Sequence, residues 1–218
     1  LKALVDNVNG PIQAAFVSIT PTLGLRYVEG KLEEMSELIS NGVDIRGLVF
    51  APTLQGFNPI RNETFETILE YAERNNLLVI IHLGPWFIHD AYLRELMPET
   101  LIEELGRYNV TFIISPIGLD DKPLIVIKWL NKFIRVRPIL TKFYLETSGI
   151  NCLLMKTATG RAVINRLGID NVVFATGYPY YRFNRILREI NCIREARQLS
   201  KEEKEKILID NALALINT

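Results

Sequence analysis

Six short apolar runs recur at an almost constant interval, and that interval is the strongest constraint on how this chain folds. They are Ala14 to Ile19, Arg46 to Phe50, Leu77 to His82, Val110 to Ser115, Lys142 to Glu146 and Asn171 to Ala175. The interval is about 31 residues, close to the roughly 30 of one βαβ unit. The runs are rich in Val, Ile and Phe and do not alternate strictly with polar residues, which is how a strand buried on both faces reads. A short apolar run can equally be buried helix, so the regular interval carries more weight than any single run.

Helical patterns fill the gaps. Leu32, Met35, Leu38 and Ile39 recur at helical spacing, and Gly42 follows as a stop. Phe65, Ile68, Leu69 and Ala72 make a second stripe, and Leu101, Ile102 and Leu105 a third. Pro123 suits a first helical position ahead of Leu124, Ile127 and Leu130. Arg161 to Leu167 reads as a shorter helix ended by Gly168, and Ile186, Leu187 and Ile190 belong to a sixth. Ser200 and Glu203 form a capping box ahead of Ile207, Leu208, Ala212 and Leu213. Strands alternating with helices imply a parallel sheet with right-handed crossovers. No linker interrupts the pattern, so residues 1–218 read as one domain. Both a doubly wound open sheet and a closed (β/α)₈ barrel fit. The chain has neither a G-x-G-x-x-G after a strand nor a P-loop, which weakens dinucleotide and nucleoside-triphosphate readings.

Composition narrows the partners. The formal net charge is zero, so no basic field favours nucleic acid. No stretch of eighteen uncharged apolar residues suggests a membrane span. The five arginines between Arg182 and Arg197 lie among Glu189 and Glu195 and read as a solvated helix face. Cys152 and Cys192 are the only cysteines, too few for a disulfide framework, and are expected as free buried thiols in a reducing cytoplasm. Abundant Ile, Leu, Glu and Lys with only three Gln leans towards a thermophile.

Active sites of α/β barrels form at the C-terminal ends of strands, so the run ends are the informative positions. Leu78 to Gly84 is an apolar run ending His82-Leu-Gly, Phe143 to Ser148 carries Glu146, and Asn171 to Pro179 ends Ala-Thr176-Gly177-Tyr178-Pro. The closing Lys201 to Leu215 contains an Asn211-Ala pair, and Phe16 to Pro21 is a further run end. In order and spacing these segments resemble strands five, seven and eight, the last helix and strand three of the amidohydrolase family. The likeness is to the branch of aminocarboxymuconate-semialdehyde and resorcylate decarboxylases. The resemblance implies a TIM-type (β/α)₈ barrel with six β/α units visible and the first two missing or replaced. Six strands leave two edges to be met by residues ahead of Leu1, by a partner subunit such as the other half of a homodimer, or by rearrangement.

The resemblance also implies a metal-dependent hydrolase or decarboxylase acting on a small carboxylated or cyclic substrate. The family's His-x-His has no counterpart here. Pro116 stands where strand six usually ends in His, and Gly177 where strand eight usually supplies Asp. His82 is the one ligand retained. The cofactor expected is therefore zinc or another divalent metal if a site survives, and otherwise none. His82 and Glu146 are the candidate catalytic residues, Glu146 as a base if burial raises its pKa. Trp86, Thr176 and Tyr178 are candidates to line a substrate pocket, with Tyr180 and Tyr181 nearby, and Thr53 and Gln55 are polar candidates after the second run. Each has a structural alternative: a hydrogen-bonded barrel-end histidine, a rim carboxylate, aromatics packed over the barrel end. The function expected is that of a barrel hydrolase or decarboxylase with a degenerate metal site; the alternative is a catalytically silent homologue that binds a small molecule or a protein partner.

Overall fold

The computed structural model describes residues 14–60, 62–84, 97–115, 123–136, 142–178 and 180–217. Six strands form one sheet: β1 (Ala15–Val17), β2 (Ile45–Phe50), β3 (Leu78–His82), β4 (Phe112–Ser115), β5 (Phe143–Glu146) and β6 (Val172–Val173). Each falls inside one of the six apolar runs, except that β2 begins one residue before its run, at Ile45. All neighbours pair in parallel, and spatial order follows chain order from β1 to β6. A doubly wound sheet reverses its strand order at a switch point; this sheet never does. The described strands are the consecutive staves of a truncated barrel.

Helices between the strands are α1 (Leu25–Ser40), α2 (Pro52–Gln55), α3 (Glu63–Arg74), α4 (Pro98–Leu105), α5 (Pro123–Val136), α6 (Asn151–Lys156) and α7 (Ala158–Leu167), and α8 (Phe183–Arg194) follows β6. α3 shows why they form. The Asn62 side chain caps it by accepting from the Phe65 N–H at 2.8 Å, and Phe65, Ile68, Leu69 and Ala72 bury one face. In α5 the buried stripe is Val126, Trp129, Leu130 and Phe133, turned away from the expected Leu124, which is 81% exposed. Trp129 and Phe133, stacked 5.0 Å apart, bring far more apolar area to the sheet. In α8 the expected Leu187 faces solvent, while Ile186, Glu189, Cys192 and Ile193 are buried. Glu189 thus does not belong to a solvated basic face.

Alternation within strands separates two cores. Val79, Ile81, Phe112, Ile114, Phe143, Leu145 and Val172 face the helices. Leu78, Ile80, Ile113, Tyr144, Val173 and Phe16 share the opposite, inner face. Phe16 pairs with Gly47, where a Cβ would lie 2.6 Å from the Phe16 ring and 2.3 Å from the Leu78 carbonyl oxygen.

The chain's last helix covers what would otherwise be an open sheet edge. It starts at the Ser200 capping box as α9 (Lys201–Glu205), widens into a π-helical segment at Lys206–Asp210 and ends as α10 (Asn211–Ile216). The Ile207 carbonyl accepts the N–H of Phe174, just past β6, at 2.9 Å. The Asn211 side-chain amide donates to the Val172 and Ile169 carbonyls, each at 2.8 Å. Backbone groups that would pair with another strand are therefore satisfied by a helix. Across the π turn the buried positions are Ile207, Asn211 and Leu215; of the expected stripe Ile207, Leu208 and Ala212 pack inward and Leu213 faces solvent. Leu215, Ala212 and Ile216 pack on the inner face of the sheet.

The cysteines correct the sequence expectation. Cys152 of α6 and Cys192 of α8 form a disulfide, not two free thiols. They are 40 residues apart in sequence, and only the packing of α6 on α8 brings their Cα atoms to 5.1 Å, within bonding range. Among the described residues, no helix is long and apolar enough to cross a membrane.

Candidate active site

Period-two alternation carries the inner face to the C-terminal ends of three adjacent strands. Two residues beyond Ile80, Ile113 and Tyr144 stand His82, Ser115 and Glu146. His82 is the register partner of Ser115, and Glu146 that of Val173 on the next strand. Apolar inner faces thus end in an imidazole, a hydroxyl and a carboxyl at one mouth. Ser115 stands on the strand between His82 and Glu146, whose strands lie ~10 Å apart.

Glu146 is 5% exposed. Its Oε1 accepts the Ser148 backbone N–H at 2.8 Å and the Ser148 hydroxyl. The Ser115 hydroxyl also bonds the carboxyl. Its Oε2 is buried without a hydrogen-bond partner among the described residues. Burial pushes the carboxyl above the usual range, against the bonds from Ser115 and Ser148 that favour the charged form. His82 is pushed down to about 4 by burial, so its imidazole is neutral at pH 7. Its Nδ1 is buried without a partner among the described residues. Among the described residues, the mouth therefore holds a carboxyl with one oxygen anchored and one unpaired, and an uncharged imidazole with an unpaired nitrogen.

The other candidates divide. Thr176 is half-buried, and its hydroxyl accepts the Tyr178 N–H at 3.1 Å. The Tyr178 side chain is 76% exposed. Gly177 turns the chain at φ +64 and its carbonyl accepts from the Tyr181 N–H at 3.0 Å. Trp86 and Pro116 lie outside the described residues. Thr53 is buried and donates to the Gly84 carbonyl at 3.1 Å. Gln55 donates to the Ile19 carbonyl at 3.0 Å and accepts from the Ala51 N–H at 2.8 Å. These two polar groups tie the ends of β1, β2 and β3 together. Sequence reasoning did not single out Ser115 and Ser148. Counting by twos from Ile113 would have found the first; the second sits in a turn, where no periodicity applies.

A zinc site takes three or four N, S or O donors. Among the described residues no group of three His, Cys, Asp or Glu could hold a metal ion. At the mouth the donors are one imidazole and one carboxyl, the latter with an oxygen already engaged by Ser148. Among the described residues this donor set falls short of the three or four donors a resident zinc takes.

A parallel β/α barrel sheet with a polar C-terminal mouth defines a class of enzyme scaffold, and sequence comparison narrows it. The amidohydrolase family model matches residues 21–217, and the chain belongs to that family. Members of that superfamily generally use a divalent metal. No curated protein matches the chain. Among solved structures, 5-carboxyvanillate decarboxylase from Sphingomonas paucimobilis is 16% identical with a TM-score of 0.63, covering 99% of this chain and 69% of that one. A probable 2-pyrone-4,6-dicarboxylic acid hydrolase from Acinetobacter baumannii, with citric acid bound, is 16% identical with a TM-score of 0.61, covering 100% of this chain and 87% of that one. The 2,6-dihydroxybenzoate decarboxylase from Rhizobium is 16% identical with a TM-score of 0.57, covering 94% and 71%. At these identities the likeness is one of fold.

Proposed function

We propose that this amidohydrolase-family chain is a hydrolase or decarboxylase for a small carboxylated or cyclic compound, working by acid–base chemistry at the mouth of β3, β4 and β5. The observation that carries this reading is Glu146: buried, anchored through Oε1, unpaired at Oε2 among the described residues and raised in pKa by burial. In its neutral form it is a proton donor; in its charged form, a base held in a fixed orientation. Neutral His82 supplies a hydrogen-bonding nitrogen from two strands away. Thr176, Tyr178 and Trp86 are assigned to the substrate wall. The fold neighbours act, by their names, on a carboxyvanillate, a dihydroxybenzoate and a pyrone dicarboxylate, which supports the substrate class. A homodimer and a cytoplasmic location belong to the same reading, and the latter has to accommodate the Cys152–Cys192 bridge.

The second reading is a silent barrel homologue that only binds a small molecule. Gly177 favours it, since the resemblance expects an acidic ligand at that place. A panel of cyclic and aromatic carboxylic acids separates the two, assayed for turnover and for binding with and without added Zn or Mn. Glu146→Gln should cut turnover by about 10²–10⁴-fold while binding persists. No turnover of any panel member, with binding weakened only by His82→Ala, would establish the silent reading.

A further inference from the structure

Two helices frame the candidate carboxyl, and one covalent bond joins them. α6 begins five residues after Glu146, and α8 six residues after Gly177. The turn between Glu146 and α6 carries Ser148, the residue that anchors Oε1. That turn is backed by α8 and the residues leading into it. Gly149 sits at φ +75, and a Cβ there would lie 2.5 Å from the Tyr181 hydroxyl oxygen. Tyr181 is buried, with the Arg185 guanidinium 4.0 Å from its ring centre. The Cys152 N–H, in the first turn of α6, donates to the buried Glu189 carboxylate of α8 at 3.3 Å. The disulfide closes the same contact covalently.

α6 has six residues, far below the length at which an isolated helix is stable. Its position therefore depends on its tertiary packing: Leu154 and Met155 are buried in the core, and the bridge is its covalent tie to α8. The bridge is also approachable. Cys152 is half-buried, and a groove of about 410 Å³ reaches Cys192, with Lys156 and Arg188 on its wall.

We infer that the Cys152–Cys192 bridge is a redox-sensitive brace on the turn that holds Ser148 against Glu146. Closed, it keeps α6 on α8 and Ser148 on the carboxyl. Opened by a dithiol reductant, it releases α6 and slackens the turn. One thiolate of the reductant attacks a bridge sulfur, the S–S bond breaks, and a mixed disulfide forms. The second thiol then displaces it. Two electrons pass to the protein, two protons end on the cysteine sulfurs, and the reductant leaves as its disulfide. This brace rests on where Glu146 sits, not on what it catalyses.

Hydrogen–deuterium exchange on the full chain tests it without reading activity, so the brace and the catalytic reading stand or fall separately. Alkylation and intact mass should count no free thiols in the oxidised protein and two after dithiothreitol. Reduction should speed exchange tenfold or more across residues 143–156 and 183–194, and less than twofold across residues 63–82. A Cys152→Ser, Cys192→Ser double variant should show the fast pattern with or without reductant. Three results would overturn the brace: unchanged exchange at residues 143–156 in fully reduced protein, an equal rise at residues 63–82 marking a general staple, or two alkylatable thiols that persist after oxidation.

Discussion

Ser148 holds Glu146 twice, through its backbone N–H at 2.8 Å and through its hydroxyl, so the carboxyl ending β5 is oriented by a residue only two positions on. The second oxygen, Oε2, is left buried and unpaired among the described residues. Removing the hydroxyl tests this. Ser148→Ala removes a bond that favours the charged form, so the Glu146 pKa should rise further, read from the carboxyl infrared band against pH. Stability should fall by about 1–3 kcal/mol in urea denaturation. A pKa that falls would mean the hydroxyl does not donate to this carboxyl.

The pH dependence of stability should carry two opposed contributions. His82 is lowered from 6.5 to about 4, so between those values the unfolded chain binds more protons than the folded one. Its contribution is complete above pH 6.5 and is lost as pH falls towards 4, worth about 3 kcal/mol in all. Glu146 is raised above 4.5, so its contribution is present below pH 4.5 and is lost as pH rises through its folded value. Melting temperature against pH checks both. His82→Gln should flatten the rise between pH 4 and 6.5, and Glu146→Gln should remove the decline above pH 4.5.

Gly47→Ala should be severe. The added Cβ would meet a backbone carbonyl oxygen, Leu78 O, at 2.3 Å and the Phe16 ring at 2.6 Å. The ring can turn, but the carbonyl belongs to the neighbouring strand. A loss of about 3 kcal/mol is expected, at the upper end for overpacking, measured by thermal or urea unfolding. A neutral effect would show that the β1–β2–β3 packing is looser than described.

Asn211→Leu keeps the helix but removes its bonds to the Val172 carbonyl at the β6 edge and to the Ile169 carbonyl in the turn before it. A loss of about 1–3 kcal/mol is expected, together with concentration-dependent association as the bared carbonyls seek other partners. Light scattering beside a denaturation curve checks both. Unchanged stability and a monodisperse solution would show that the edge is not protected by this side chain.

Much of the fold was legible in the sequence because it depends on short-range periodicity. The apolar interval located all six strands, and the Ser200 capping box marks a helix start by local chemistry. Orientation within helices was less legible. Leu124 and Leu187 are as apolar as their buried neighbours, and only competition for the sheet, won by Trp129 and Phe133 in one case and by Ile186 and Ile193 in the other, turned them outward.

The mouth divides in the same way. Sequence alone determined that His82 and Glu146 end apolar strands, and that Gly177 stands where the resemblance expects an acid. Tertiary structure decided the rest. Strand register set Ser115 between those two residues, burial set the directions of their pKa shifts, and helix packing brought Cys152 to Cys192 across 40 residues. The reason is physical: a residue's period along the chain is local, but its dielectric surroundings and its partners come from segments that meet only when the sheet assembles.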